Sequence, residues 1–379
     1  MWQVIGLELE YIKNIIYKNK RKYMKNIEWN MKVRRRLCME VVNMDIRQIA
    51  QKAGVSVATV SRVQNHPETV APATLEKVQA IIEEYQYTPN WFARGMNLGK
   101  GDTIGLIVPD ILNPSYMEIV KGIEEIVYKH GYITLMCNGD GDSKQESDSI
   151  DNLLKRSVDG LIVLSTALEK EKLISIRQKG IPIVSIGESN AGSEIDTVKI
   201  DYREATHNAI KHLVGMGYRS VAIINGPISK IENQLRLKGY EEILESAGIP
   251  IDKKYIISSK ISMENGYIQA KKLLKLDKLP RAIFATDDVI AMGVMAALRD
   301  EGIRVPEDIA IVGFDNINII KMMESKLTTV ENPLYRQGIE GAKLLLELIE
   351  SGNTKECVPK EILLKTKLKI RKSCGYKTK

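Results

Sequence analysis

Apolar residues change their spacing along the chain, and each change predicts a different kind of element. In "DIRQIAQKAGVSVATVSRVQN", Ile46, Ile49, Ala50 and Ala53 recur at helical intervals, the mark of one buried helix face. Gly54 follows where a helix that must stop needs a residue free to take positive φ. Ser56 stands where a side-chain oxygen can cap a second helix, whose buried face is Val60 and Val63. Small Ala50 and Ala53 let the two helices approach, so the pattern predicts a helix-turn-helix. Pro72 opens a third helix with Leu75, Val78, Ile82 and Tyr85 as its stripe. From Thr103 onward "TIGLIVP", "YITLMCN", "GLIVLS", "IPIVSIG", "VAIING", "AIFATDD" and "IAIVGFD" are near-continuous apolar runs that read as buried parallel strands. Helix-length segments such as 116–129, 204–215, 233–247 and 289–301 follow them. That alternation predicts doubly wound α/β layers, which bind ligands at the carboxyl ends of their strands.

The predicted fold class is therefore an all-α helix-turn-helix head followed by an α/β body. Between them "YTPNWFARGMNLGKGD" breaks the periodicity at Pro89 and reads as a linker, 89–102, with a short helix at 90–98. The head spans 44–88, the body 103–372, and 373–379 is a tail. Net charge is +7, but residues 1–43 hold six Lys and four Arg against four Glu, so only one net charge is left for the rest. Overall charge is thus weak support for nucleic-acid binding, which must rest on the motif. The first 43 residues have neither heptads nor a core face. They are expected to be untranslated, with Met44 as the start, or disordered; a basic arm around Arg34, Arg35 and Arg36 is the alternative. The four cysteines are scattered, with no CxxC pair, which fits a reducing compartment and argues against disulfides or zinc. No apolar run approaches the roughly 20 residues of a membrane helix. The chain is expected in the cytoplasm, on the nucleoid, with no membrane partner.

On the second helix, Val57, Ala58 and Arg62 lie on the outward, N-terminal side where such a helix meets base edges. Ser56, Thr59, Ser61 and Asn65 are short polar groups suited to phosphates and positioning. Spacing alone leaves an ordinary helical hairpin open. "IAQKAGVSVATVSRVQN", "TPNWFARGM" and "TIGLIVPDILNPSYMEIVKGIE" together resemble the lactose/galactose-repressor (LacI-type) family from about Asp45 to Arg371. The resemblance implies a two-lobed, periplasmic-binding-protein-like effector domain, with lobes at about 103–200 with 331–352, and 201–330 with the C-terminal segment. It also implies a linker helix that orders on DNA and wedges an apolar side chain into the minor groove. Asn90, Ala93 and Arg94 match that helix, and Met96 stands at the wedge position, usually Leu. Gly95 weakens the isolated helix by about 1 kcal/mol relative to Ala, which suits an element ordered by DNA. Gln64, in place of the usual aliphatic residue, is a further departure.

Candidate effector residues follow strands or begin helices. Asn113, Ser115 and Tyr116 follow the first strand, and Tyr116 offers an aromatic wall. Asp287 and Asp315 follow two others and can accept hydroxyl protons, although Asp287 and Asp288 would also serve as helix caps. Arg236 matches the family arginine that reaches the effector, the alternative being a surface ion pair. Gly187 and Ile261 stand where many relatives carry a charged and an aromatic side chain, so the ligand differs from a familiar simple sugar.

The implied function is a transcriptional repressor that binds a palindromic operator in double-stranded DNA as a homodimer. A small-molecule effector, a sugar or sugar-phosphate-like compound, controls it, and no metal or other cofactor is called for. "NHPETVAPATLEKV" and "VKIDYREA" are similar to the catabolite-control branch, where a phosphorylated carrier protein is the main effector. An enzyme is disfavoured: no phosphate-binding glycine loop, nucleophile elbow or His-Glu-x-x-His pair is present, and the four histidines do not cluster.

Overall fold

Side-chain caps tie the ends of the first helices. In the computed structural model, which describes residues 44–87, 101–165, 167–322, 326–352 and 357–376, α1 spans Ile46–Ala53. Asp45 accepts from the Gln48 N–H at 2.8 Å while Gln48 accepts from the Asp45 N–H at 2.9 Å, a reciprocal capping box. Gly54, at φ 63°, ends α1 and turns its N–H onto the carbonyls of Ala50 and Gln51. Ser56 then caps α2 (Val57–Asn65) by accepting from the Thr59 N–H at 3.1 Å. With α3 (Pro72–Glu84), these helices enclose Ile49, Ala50, Ala53, Val60, Val63 and Val78. Only Val78 of the expected α3 stripe is fully covered; Leu75, Ile82 and Tyr85 pack at its margin. Six buried side chains are a small core, so caps of about 1 kcal/mol each carry weight here. The expected linker helix and the first 43 residues lie outside the described residues.

The chain divides into two units, Met1–Arg94 and Gly95–Lys379. The second unit contains two six-stranded sheets. The first is built from β1 (Thr103–Val108), β2 (Ile133–Asn138), β3 (Gly160–Leu164), β4 (Ile183–Ile186), β5 (Asp196–Ile200) and β11 (Glu361–Leu364), in the order β11-β5-β4-β3-β1-β2, all parallel. The second uses β6 (Val221–Asn225), β7 (Ile256–Ser258), β8 (Ala282–Ala285), β9 (Ala310–Asp315), β10 (Thr328–Glu331) and β12 (Lys367–Lys369), in the order β12-β10-β9-β8-β6-β7. Among the described residues, only the β10–β12 pair of this sheet is antiparallel.

Helices α4 (Pro114–Lys129), α5 (Ser143–Leu154), α6 (Lys170–Gln178) and α11 (Leu334–Ser351) belong to the first lobe. Helices α7 (Tyr202–Gly215), α8 (Ile231–Ser246), α9 (Met263–Leu273) and α10 (Asp288–Asp300) belong to the second. Central strands are buried on both faces, as continuous apolar runs require, whereas β2, expected to be buried, is an edge strand with Ile133 and Met136 exposed. Gly338 is needed where α11 crosses α4: a Cβ there would collide with the Ile119 carbonyl oxygen. The chain passes between lobes three times, after β5, after β10 and between β11 and β12. The C-terminal segment, expected to join the second lobe as a whole, is therefore split: β11 pairs with β5 because its apolar "ILL" completes the first sheet's edge, and only β12 returns to the second.

Candidate functional site

On α2, positions 57, 58, 61, 62 and 65 fall within about 140° of the helix circumference, opposite Val60 and Val63. Val57 is 41% exposed, and Ala58 and Arg62 are exposed beside it. The Arg62 side chain has no hydrogen bond or ion pair among the described residues, so its five donors face outward. Ser56 and Thr59 join hydroxyls at 2.9 Å, and Asn65 donates to the Ser61 carbonyl at 2.9 Å, which fixes the polar flank of the same edge. Gln64 is half-buried and lies off that edge. Lys52, on α1, donates to the Tyr85 hydroxyl at 3.0 Å and locks α1 to α3. Residues 44–87 carry Arg47, Lys52, Arg62 and Lys77 against Asp45, Glu68, Glu76, Glu83 and Glu84. Whatever contact residues 44–87 make with phosphates must therefore come from local placement rather than bulk charge. Asn90, Ala93, Arg94 and Met96 lie outside the described residues.

In the second unit, the two lobes meet at the carboxyl ends of their strands. Asn113 caps α4 by accepting from the Ser115 N–H at 2.9 Å, and its amide crosses to the other lobe, donating to Asp287 at 3.0 Å. Asp287 caps α10 through its other oxygen, which accepts from the Val289 N–H at 2.7 Å. Both the capping and the cleft reading of this carboxylate therefore describe one side chain, with one oxygen for each. Ser115 donates to Asp315 at 2.8 Å, and Asn332 donates to the other Asp315 oxygen at 2.9 Å while accepting from Gln337. Arg236 is not a surface ion pair. It is 6% exposed, its guanidinium lies 4.5 Å from the centre of Tyr202 and 4.7 Å from that of Phe314, and it donates to Asn233 at 2.7 Å. Its Nε is buried without a hydrogen-bond partner among the described residues.

These groups enclose a cavity of about 40 Å³, also lined by Tyr116, Ser165, Glu232 and Ile261. Gly187 does not line it: at φ 98° it packs against Ser165, whose hydroxyl would lie 2.8 Å from any Cβ added there. Sequence reasoning missed Glu232, although it stands one turn before Arg236 on the same helix face. It also missed Ser165, Tyr202, Asn332 and Gln337, which no local pattern marks. Burial, then the nearby Asp315 charge, pushes the Asp287 carboxyl up to about 7. Burial also raises Asp315, against the opposing pull of Arg236.

Carboxylate acceptors, an aromatic wall and a planar donor suit a polyhydroxylated ligand. A cavity of about 40 Å³ holds little more than a water, whereas ligand pockets run to about 300–1,000 Å³. The Asn113–Asp287 and Ser115–Asp315 bonds join the lobes across this narrow space. Among the described residues no helix is long and apolar enough to cross a membrane.

Comparison with known proteins adds to this geometry. Residues 45–90 match the model described as bacterial regulatory proteins, lacI family, and residues 101–372 match that for periplasmic binding proteins and the sugar binding domain of the LacI family. The chain is 34% identical to catabolite control protein A of Priestia megaterium over 88% of this chain and 99% of that protein. A lac repressor dimer bound to operator and an anti-inducer is similar at a TM-score of 0.76 and 26% identity, over 87% of this chain and 99% of that one. A complex of the transcriptional regulator CelR with cellobiose is similar at a TM-score of 0.65 and 29% identity, over the same shares.

Proposed function

The chain belongs to the LacI family of bacterial transcriptional regulators, and from that premise we propose that it represses transcription from a palindromic operator, as a homodimer, under control of a small hydroxylated effector. The observation that carries the proposal is the outward edge of α2, where Val57, Ala58 and Arg62 stand clear of the core on a helix capped at Ser56. These three read base edges in the major groove, while Ser56, Thr59, Ser61 and Asn65 hold phosphates and set the register. One such helix reads too few bases for a genome, so two heads act together on a two-fold site. Asn90, Ala93, Arg94 and Met96 serve the minor groove, with Met96 as the side chain that wedges a central CpG step. Such a partner places the protein in the cytoplasm, on the nucleoid, and the role includes no catalysed reaction.

In the body, Asn113, Ser115, Tyr116, Arg236, Ile261, Asp287 and Asp315 hold the effector. Its hydroxyls take over the inter-lobe bonds, so the angle between lobes follows occupancy, and the effector acts only as far as it prefers one angle. The cellobiose complex of the similar CelR supports a carbohydrate-like ligand. Sequencing DNA selected from a random pool by the purified protein tests the proposal. A two-fold-symmetric sequence is expected, and selection without enrichment overturns it. The similarity to catabolite control protein A favours a second reading, in which a serine-phosphorylated carrier protein is the main effector; absence of that protein from a pull-down removes it.

A further inference from the structure

One charge in the cleft has no counterpart. Glu232 is 7% exposed, forms part of the cavity wall, and makes no hydrogen bond or ion pair with another described residue. Its oxygens are not sealed off from the cavity, so the carboxylate is placed to take a donor from whatever occupies that space. Its neighbours differ: both oxygens of Asp287 and both of Asp315 are occupied by donors. The wall carries Glu232, Asp287 and Asp315 against the single guanidinium of Arg236, which is held by two rings and an amide rather than by an ion pair among the described residues. Lys230, two residues before Glu232 on the approach to α8, spends its ammonium on the Ser165 carbonyl at 2.6 Å. Tyr116 lines the same cavity, so a cation held by Glu232 would share that space with an aromatic ring.

We infer that the cleft selects a hydroxylated effector carrying a protonated amine, with Glu232 as the seat of the ammonium group. The inference rests on the reading of the cleft as the effector site. An ammonium supplies the donor that Glu232 lacks and brings the wall nearer to neutrality. A phosphate or carboxylate on the ligand would bring a second anion up to Glu232, whose charge no group of the wall pairs with, which sets sugar phosphates aside. A neutral sugar would offer Glu232 hydroxyls and leave its charge uncompensated.

Isothermal titration of the full chain tests this with glucosamine, galactosamine and mannosamine, each beside its neutral parent, its N-acetyl derivative and its 6-phosphate. At least one amine is expected to bind tenfold or more tightly than its parent and its N-acetyl derivative, with Glu232→Gln erasing that margin. The N-acetyl comparison needs no variant, so it decides the matter even if the Gln protein fails to fold. Parent or phosphate binding as tightly as the amine overturns the inference, as does the absence of binding by every amine. A chain that binds its operator yet answers to a neutral sugar refutes the amine seat and keeps the regulator; failure on operator DNA refutes the regulator, whatever the titrations show.

Discussion

The head and the inter-lobe cleft solve opposite problems with similar side chains. In the head, Val57, Ala58 and Arg62 are held outward by a core of six residues and by caps formed within a few positions of each other. In the cleft, Asn113, Arg236, Asp287 and Asp315 are all buried, and they are brought together by contacts spanning up to 200 positions. An outward arginine keeps its hydration until it meets a partner and costs the fold little. A buried one must be supported, here by Tyr202, Phe314 and Asn233. The head is thus a display surface whose affinity depends on what it meets, and the cleft is a site where Asn113 and Ser115 already satisfy Asp287 and Asp315 across the two lobes while Glu232 and the Arg236 Nε are left over.

This contrast can be broken or sharpened experimentally. Arg236→Ala should have the largest effect: truncating a buried charged contact costs about 2–5 kcal/mol, so effector affinity should fall by about 100-fold or more in a titration, and the operator complex should stop responding to effector. Arg62→Ala should cost about 1–3 kcal/mol of operator affinity in a gel shift, with the loss falling on the selected sequence far more than on random DNA. A uniform loss across sequences would make Arg62 a phosphate contact instead. Third comes pH. The folded Asp287 carboxyl is pushed up to about 7 from its usual value near 4, so between these pH values the folded state holds a proton that the unfolded chain has lost. Stability from this group is present below pH 4 and lost as pH rises through 7. Each pH step of one within that window removes about 1.4 kcal/mol at most, so the body's melting temperature should drop by up to about ten degrees across it. Asp287→Asn should flatten the slope while still capping α10. Ser56→Ala should have the smallest effect, about 1 kcal/mol of head stability in a denaturant melt, with no change in the body's transition.

The same contrast explains what the sequence made legible. The head's helices, their Gly54 stop and the Ser56 cap are all written within about twenty residues, so periodicity reached them; the Asp45–Gln48 box was equally local and was overlooked. In the body, long apolar runs announced the central strands. β5 did not stand out, because Asp196 and Lys199 interrupt its apolar residues, and nor did β7, β10, β11 and β12, because three or four residues are too few to give a periodic signal. Edge exposure of β2 was invisible, since strand order is a property of the sheet. Of the cleft, the residues suggested by family likeness were nameable in advance, but Glu232, Asn332 and Gln337 were not: what gathers them is the meeting of two lobes.

The three passages of chain between the lobes limit what any ligand can do. Three tethers, crossing near residues 201, 332 and 365, resist sliding and stretching of one lobe past the other more than they resist a turn about the place where they cross. Compounds of quite different shape can therefore differ in how far, and in which sense, they turn that axle.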